Sequence, residues 1–230
     1  TYEVKGVSQG SYTESYQALQ AAIAAKNPPD IAIQDYNQVD YFAKKDLLED
    51  IRQFTKSDSD FHEDDYVKSF IDLGIYGDKL YALPAYGTTQ VLYYNKAAFQ
   101  EAGISTDALN TWEGLADAAQ KLTRKEGEEV TFYGWEPMWG AWNMIDAALS
   151  NDAKFISEDG KQVLINSPEW VSTWESFRKW IHDDKIMKIH FGGQGWEYWY
   201  ATIDDVMQDR AAGYTGSSGD RGDLDFDKLA

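Results

Sequence analysis

Cysteine is absent from this sequence. That excludes disulfides, cysteine-ligated zinc, iron–sulfur clusters and a thiol nucleophile. Histidine is scarce: His62, His182 and His190 are the 3 in the chain, scattered far apart. They form no HExxH helix, and neither a serine-nucleophile elbow nor a phosphate loop is spelled out. No run of about 18 apolar residues occurs, so no membrane-spanning helix is expected. No signal peptide is visible either, and an export signal or lipid anchor is expected to have been removed or to lie outside this sequence. Basic residues are outnumbered, 21 Lys and Arg against 39 Asp and Glu, for a formal net charge of −18. A field of that sign repels phosphate backbones and anionic lipid, so nucleic-acid and membrane-surface partners are not expected.

What is present is size and aromatic surface. At 230 residues with 43% hydrophobic content, one large domain or two modest ones can be buried. Aromatic residues make up 15%, including 9 Trp. That richness suggests flat apolar surfaces of the kind that pack on sugars or other rings.

Local signals define the elements. Ser11-Tyr12-Thr13-Glu14 fits a capping box, and Tyr16, Leu19 and Ile23 follow at helical spacing. Asn27-Pro28-Pro29 stops that helix, and residues 30–33 read as a short buried strand in a parallel α/β layer. The residues just beyond, Gln34, Asp35, Tyr36 and Asn37, form a polar patch at a strand's carboxyl end. Ligands favour that position, although Asp35 or Asn37 serves equally as the cap of the next helix. Tyr2, Val4 and Val7 read as short extended residues. The acidic run SDSDFHEDD over residues 57–65 suits a helix N-terminus. It lacks the glycine and terminal Glu of an EF-hand loop. Gly77-Asp78 predicts a tight hairpin, residues 91–94 a strand, and Thr111 the cap of a helix holding Trp112, Leu115, Ala119 and Leu122. Residues 130–135 and 162–165 read as strands. Ser167-Pro168-Glu169 opens a helix whose Trp170, Trp174, Phe177 and Ile181 share one face, read as core. Residues 191–199, FGGQGWEYW, read as a loop able to carry Trp196 or Tyr198 to a cleft. Asp223, Asp225 and Asp227 alternate in what reads as a solvated terminus.

Several segments together resemble extracellular solute-binding family 1, the carbohydrate-binding group that includes maltose-binding proteins. They are AAIAAKNPPDIAI over residues 21–33, GDKLYALP over 77–84, LYYNKAAFQEAG over 92–103 with Thr111-Trp112-Glu113, VLINSPE over 163–169 and DVMQDRAAGY over 205–214. Ala212-Gly213-Tyr214 departs from the Ala-Met usual in the family. The resemblance implies an α/β fold of the two-lobe, type II periplasmic-binding-protein kind, incomplete at both ends. Lobe one would lie within residues 1–88 and lobe two within 89–230, with a hinge crossing near 84–91. Its cleft would receive Gln34, Asp35, Tyr36 and Asn37 from lobe one, and Tyr86, Thr88 and Gln90 from the crossing. Lobe two would add Trp135, Glu136, Trp139, Trp196, Ser218 and Asp220.

The chemistry suits a sugar: an indole covers the C–H face, while carboxylates and amides take the hydroxyls. One of Trp135 and Trp139 is expected to stack, with Trp142 a rival for core packing. The implied function is capture of a sugar or oligosaccharide by hinge closure, for delivery to the membrane permease of an ABC importer. A monomer is expected, at the cell surface as a lipoprotein or in the periplasm. No cofactor, metal or catalysis is expected. The alternatives are a secreted glycoside hydrolase, for which Asp35 and Glu136 are candidate acids, and a non-catalytic carbohydrate-binding surface protein.

Overall fold

A computed structural model describes residues 3–193 and 195–230; Thr1, Tyr2 and Gln194, with the side chains of Ala141 and Trp142, lie outside the described residues. The extended reading of Tyr2 and the packing role of Trp142 fall there. The chain forms two compact units, Thr1–Gly87 and Thr88–Ala230.

Helices make up most of the regular structure of the first unit. Ser11 accepts the Glu14 amide at 3.3 Å and starts α1, Tyr12–Ala24. Asp35 accepts the Asn37 amide at 2.9 Å and starts α2, Tyr36–Lys44. Helices α3, Arg52–Ser57, and α4, Lys68–Ile71, are short. Strands β1, Ile75–Tyr76, and β2, Lys79–Leu80, pair antiparallel around Gly77, whose φ of +60° a glycine adopts without strain. Buried hydrophobics here are Leu19, Phe42, Ala43, Ile71 and Leu80.

The strand expected over residues 30–33 is not formed. Ile31 is 86% and Ile33 63% exposed, and the segment joins no ladder. A parallel strand is buried only with neighbours beside it and helices over it. Among the described residues of this unit the one pairing is the β1–β2 hairpin. An apolar alternation alone therefore left the segment irregular.

The second unit is layered. Strand β3, Gln90–Tyr94, leads to α5, Lys96–Glu101, whose cap Asn95 accepts the Ala98 amide at 3.0 Å. Thr111 caps α6, Trp112–Leu122. Strands β4, Arg124–Glu126, and β5, Glu129–Phe132, form a hairpin before β6, Glu136–Pro137. Then come α7, Ala141–Ser150, α8, Pro168–Arg178, α9, Glu197–Met207, and β7, Gly213–Ser217. The strand expected over residues 162–165 reduces to one bridge, Ile156 to Val163.

In the main sheet, β7 lies between β3, antiparallel, and β6, parallel. Side chains alternate across it. Leu92, Tyr94, Trp135 and Ala212 face a core with Leu115, Ala119 and Phe177 from α6 and α8. Tyr93, Met138 and Tyr214 face another with Ile203 and Val206 from α9.

Gly213, the departure from the family's usual Met, is explained here. A Cβ would lie 2.4 Å from the Trp135 ring and 2.5 Å from the Tyr93 carbonyl, so the indole fits only over glycine. The α8 stripe is partly corrected. Trp170 and Phe177 are buried, but Trp174 is 43% exposed and Trp180 enters the core instead. The buried face of α8 runs through Trp170, Thr173 and Phe177, so Trp174 falls beside it, and Ile181 still packs against the core from the π turn Lys179–Asp183.

Candidate functional site

The antiparallel register of β3 on β7 sets Gln90 opposite Ser217, and β6 runs parallel to β7. The segments before β3, after β6 and after β7 therefore emerge at one end of the sheet. This is the carboxyl end of two parallel strands, a favoured ligand position in α/β folds. Four predicted residues gather there: Thr88, Gln90, Trp139 and Ser218.

The Thr89 amide donates to Ser218 Oγ at 3.2 Å, and the Ser218 amide to the Thr89 carbonyl at 2.9 Å. A Cβ on Gly219 would come 3.2 Å from the Thr88 methyl. Gln90 Nε2 donates to Asn143 Oδ1 at 2.6 Å, and Asn143 Nδ2 to the Trp139 carbonyl at 3.1 Å. Trp139 is 44% exposed, with its ring edge-on to Phe191 at 6.4 Å. Trp196 is also partly exposed and stands edge-on to Trp199, whose Nε1 donates to Asp220 at 3.0 Å. The result is a set of open aromatic rings next to side-chain amides and hydroxyls.

Three expectations in this unit are corrected. Trp135 is 0% exposed, packs between the helices and the sheet, and donates Nε1 to Thr215 Oγ1 at 3.0 Å. Its ring cannot cover a ligand. Glu136 is likewise 0% exposed, because its position on β6 turns it under the sheet. Asp220 is buried and used structurally. It accepts from Tyr214 Oη, Trp199 Nε1 and the Ser217 amide, each at 3.0 Å, and completes a capping box with Ser217. Burial first, and then the Asp220 carboxylate, push the Tyr214 hydroxyl upward, so it stays a donor. Asn143 goes unread in the sequence, and Phe191 is read as part of the 191–199 loop without being named for the site. Asn143 stands one helical turn beyond Trp139, and Phe191 precedes Gly192 and Gly193, at φ +80° and +81°.

In the first unit the predicted patch is internally bonded. Asp35 Oδ1 accepts from both the amide and Nδ2 of Asn37, so the capping alternative is realised. Gln34 Nε2 donates to Ser15 Oγ at 2.8 Å, while Gln34 Oε1 is buried without a donor. Tyr36 and Tyr86 are exposed.

Two further features lie within the second unit. A cavity of about 450 Å³ has Trp112, Phe177 and Trp180 in its wall, with Asp146, Asn151 and Ser176. Burial raises the Asp146 carboxyl. Of the predicted site residues, Gln90 lines it. The second feature surrounds Glu136. Asp205 on α9 accepts from Lys188, from His190 at 2.7 Å and from Arg210 Nε at 2.6 Å. Burial alone would raise its carboxyl, but the hydrogen bonds from Lys188, His190 and Arg210 outweigh that and hold it well below the usual range. Neither oxygen of an ionised Glu136 has a donor. Burial, reinforced by Asp205, pushes the Glu136 carboxyl up to about 9.

The sequence pattern of the bacterial extracellular solute-binding protein family matches residues 1–228. The chain belongs to this family. Among curated relatives, the sn-glycerol-3-phosphate-binding periplasmic protein UgpB of Escherichia coli (strain K12) is 30% identical over 183 residues, covering 74% of this chain and 40% of that protein. The arabinooligosaccharide-binding protein of Bacillus subtilis (strain 168) is 25% identical over 184 residues, covering 79% and 41%. The chain thus spans about 40% of the length of these relatives.

Solved structures share the fold. The ABC substrate-binding protein Lmo0181 from Listeria monocytogenes, in complex with cycloalternan, superposes with a TM-score of 0.74 at 23% identity, covering 90% of this chain and 52% of that one. UgpB from Mycobacterium tuberculosis, in complex with glycerophosphocholine, gives 0.76 at 18%, covering 93% and 53%. The α/β fold of this chain is therefore that of the type II periplasmic-binding proteins, over about half of their length.

Proposed function

We propose that this chain belongs to the capture component of an ABC importer and takes a neutral sugar or oligosaccharide at the sheet end holding Trp139. The observation that carries the reading is the half-open Trp139 indole beside the Gln90–Asn143 amide pair and Ser218. An indole face covers sugar C–H groups, and amides and hydroxyls match the hydroxyl rim. No basic side chain stands among these residues, and the chain carries a formal charge of −18. Both favour a neutral guest over a phosphate ester.

In this reading the units Thr1–Gly87 and Thr88–Ala230 contribute to two lobes, and the crossing near 84–91 flexes as they close. Within Thr88–Ala230, Trp196 would supply a second ring. Binding shifts the open–closed balance only by its preference for the closed form. The partner is the importer's permease, and the protein acts as a monomer, in the periplasm or as a surface lipoprotein. The hydrolase alternative loses one candidate, because a fully buried Glu136 cannot protonate a glycosidic oxygen.

The test is a titration of the intact protein against neutral mono- and oligosaccharides and glycerol phosphates, with Trp139→Ala in parallel. Saturable binding of a neutral sugar without turnover, weakened about tenfold or more by the substitution, is the expected result. Release of product, exclusive binding of a phosphate ester, or unchanged affinity in the variant would overturn it.

A further inference from the structure

We propose that Glu136, His190 and Asp205 form a binding site for one divalent transition-metal ion of the zinc type. The inference is independent of the solute-binding reading, since these residues lie beneath the sheet rather than at its open end.

Geometry comes first. One ligand atom from each residue lies within 4.8 Å of the others. His190 Nε2 is 2.7 Å from Asp205 Oδ2 and 3.6 Å from Glu136 Oε2. A tetrahedral zinc ion with bonds of about 2.0–2.1 Å separates its ligand atoms by roughly 3.3 Å. Side-chain shifts on the order of 1 Å would bring the three to that spacing, starting from a trio whose ligand atoms already lie within 4.8 Å of one another. The donor set, one imidazole nitrogen and two carboxylates, suits zinc better than calcium or magnesium, which favour oxygen alone.

The second observation is the orphaned carboxylate. Glu136 is fully buried, both of its oxygens lack a donor, and they point into the cluster. Such a group costs stability unless something satisfies it. A cation bound by Oε2 would do so.

Lys188 presently stands where a cation belongs. Its Nζ pairs with Asp205 Oδ2 and lies 3.8 Å from Glu136 Oε1. Unlike Glu136, it is partly open, with 32% of its side chain exposed. An entering ion would displace the ammonium toward solvent and replace its single charge with two, matching the two carboxylates. A water would fill the fourth position on that open side.

The frame is already set. The Trp135 amide donates to the Ile186 carbonyl at 3.3 Å and the Lys188 amide to the Trp135 carbonyl at 3.2 Å, fixing the strand and the segment that carries His190. Arg210 Nε donates to the other Asp205 oxygen at 2.6 Å, an outer contact that orients the ligand. The sequence gives no hint of the trio, because positions 136, 190 and 205 follow no ligand spacing.

The experiment is competition for Zn²⁺ between the protein and a chromophoric chelator, with unfolding followed on the same samples. One ion per chain is expected, with a rise in Tm. His190→Ala should weaken affinity about 100-fold or more while leaving the circular dichroism unchanged. Lys188→Met should strengthen affinity several-fold, since it removes the competing cation. That gain separates a true site from a purely structural ion cluster. Absence of 1:1 saturation, unchanged affinity in His190→Ala, or no gain in Lys188→Met overturns the proposal. Diffuse binding to the acidic surface would give the first or second of these outcomes.

Discussion

The two units are built from similar sequence patterns and end in different conditions. In Thr88–Ala230, strand β7 has a partner on each side and helices against both faces, so Trp135, Met138 and Tyr214 are fully buried. In Thr1–Gly87, residues 30–33 carry an equally apolar alternation, yet Ile31 and Ile33 stand in the open and the strands present form one short hairpin. Alternation creates a face that could be buried. Only lateral partners bury it.

The largest test of this contrast is Trp135→Ala. Emptying that site within the layered core should cost about 3–5 kcal/mol, read as a lower urea midpoint at unchanged slope. Next is Asp220→Ala, which strands the Tyr214 hydroxyl and the Trp199 indole N–H together. Losing those buried bonds should cost about 2 kcal/mol, and Tyr214→Phe should recover part of it in the double variant. Hydrogen exchange offers a direct comparison: amides of Val91 and Tyr93, which face β7 in the antiparallel register, should exchange orders of magnitude more slowly than those of residues 31–33. A protected 31–33 segment would break the contrast. The smallest effects belong to exposed positions. Ile31→Ser and Trp139→Ala should each change stability by no more than about 0.5 kcal/mol, so Trp139→Ala should weaken ligand binding without touching the fold.

Helix starts were the most legible part of this chain. Ser11, Asp35 and Thr111 each accept an amide two or three residues ahead, and that geometry needs nothing beyond the local segment. Gly77 and its hairpin were legible for the same reason. The candidate site was read less well. Trp135 and Trp139 are four residues apart in one aromatic, glycine-rich stretch, and nothing local distinguishes them. The first points into the core between sheet and helices, and the second follows the end of β6 into the open. Asp220 looked like a loop carboxylate facing a ligand. It proved to be the acceptor that Tyr214 and Trp199 need, a demand set by residues brought beside it by β7 and α9.

The sequence by itself determined the α/β character of the chain, its caps and turns, its strong acidity and its place among the solute-binding proteins, because these depend on neighbours along the chain or on composition. The tertiary structure alone decided which indoles face outward and that Glu136, His190 and Asp205 meet. Those outcomes depend on which strand lies beside which, and burial and electrostatics act between groups close in space, however far apart in sequence.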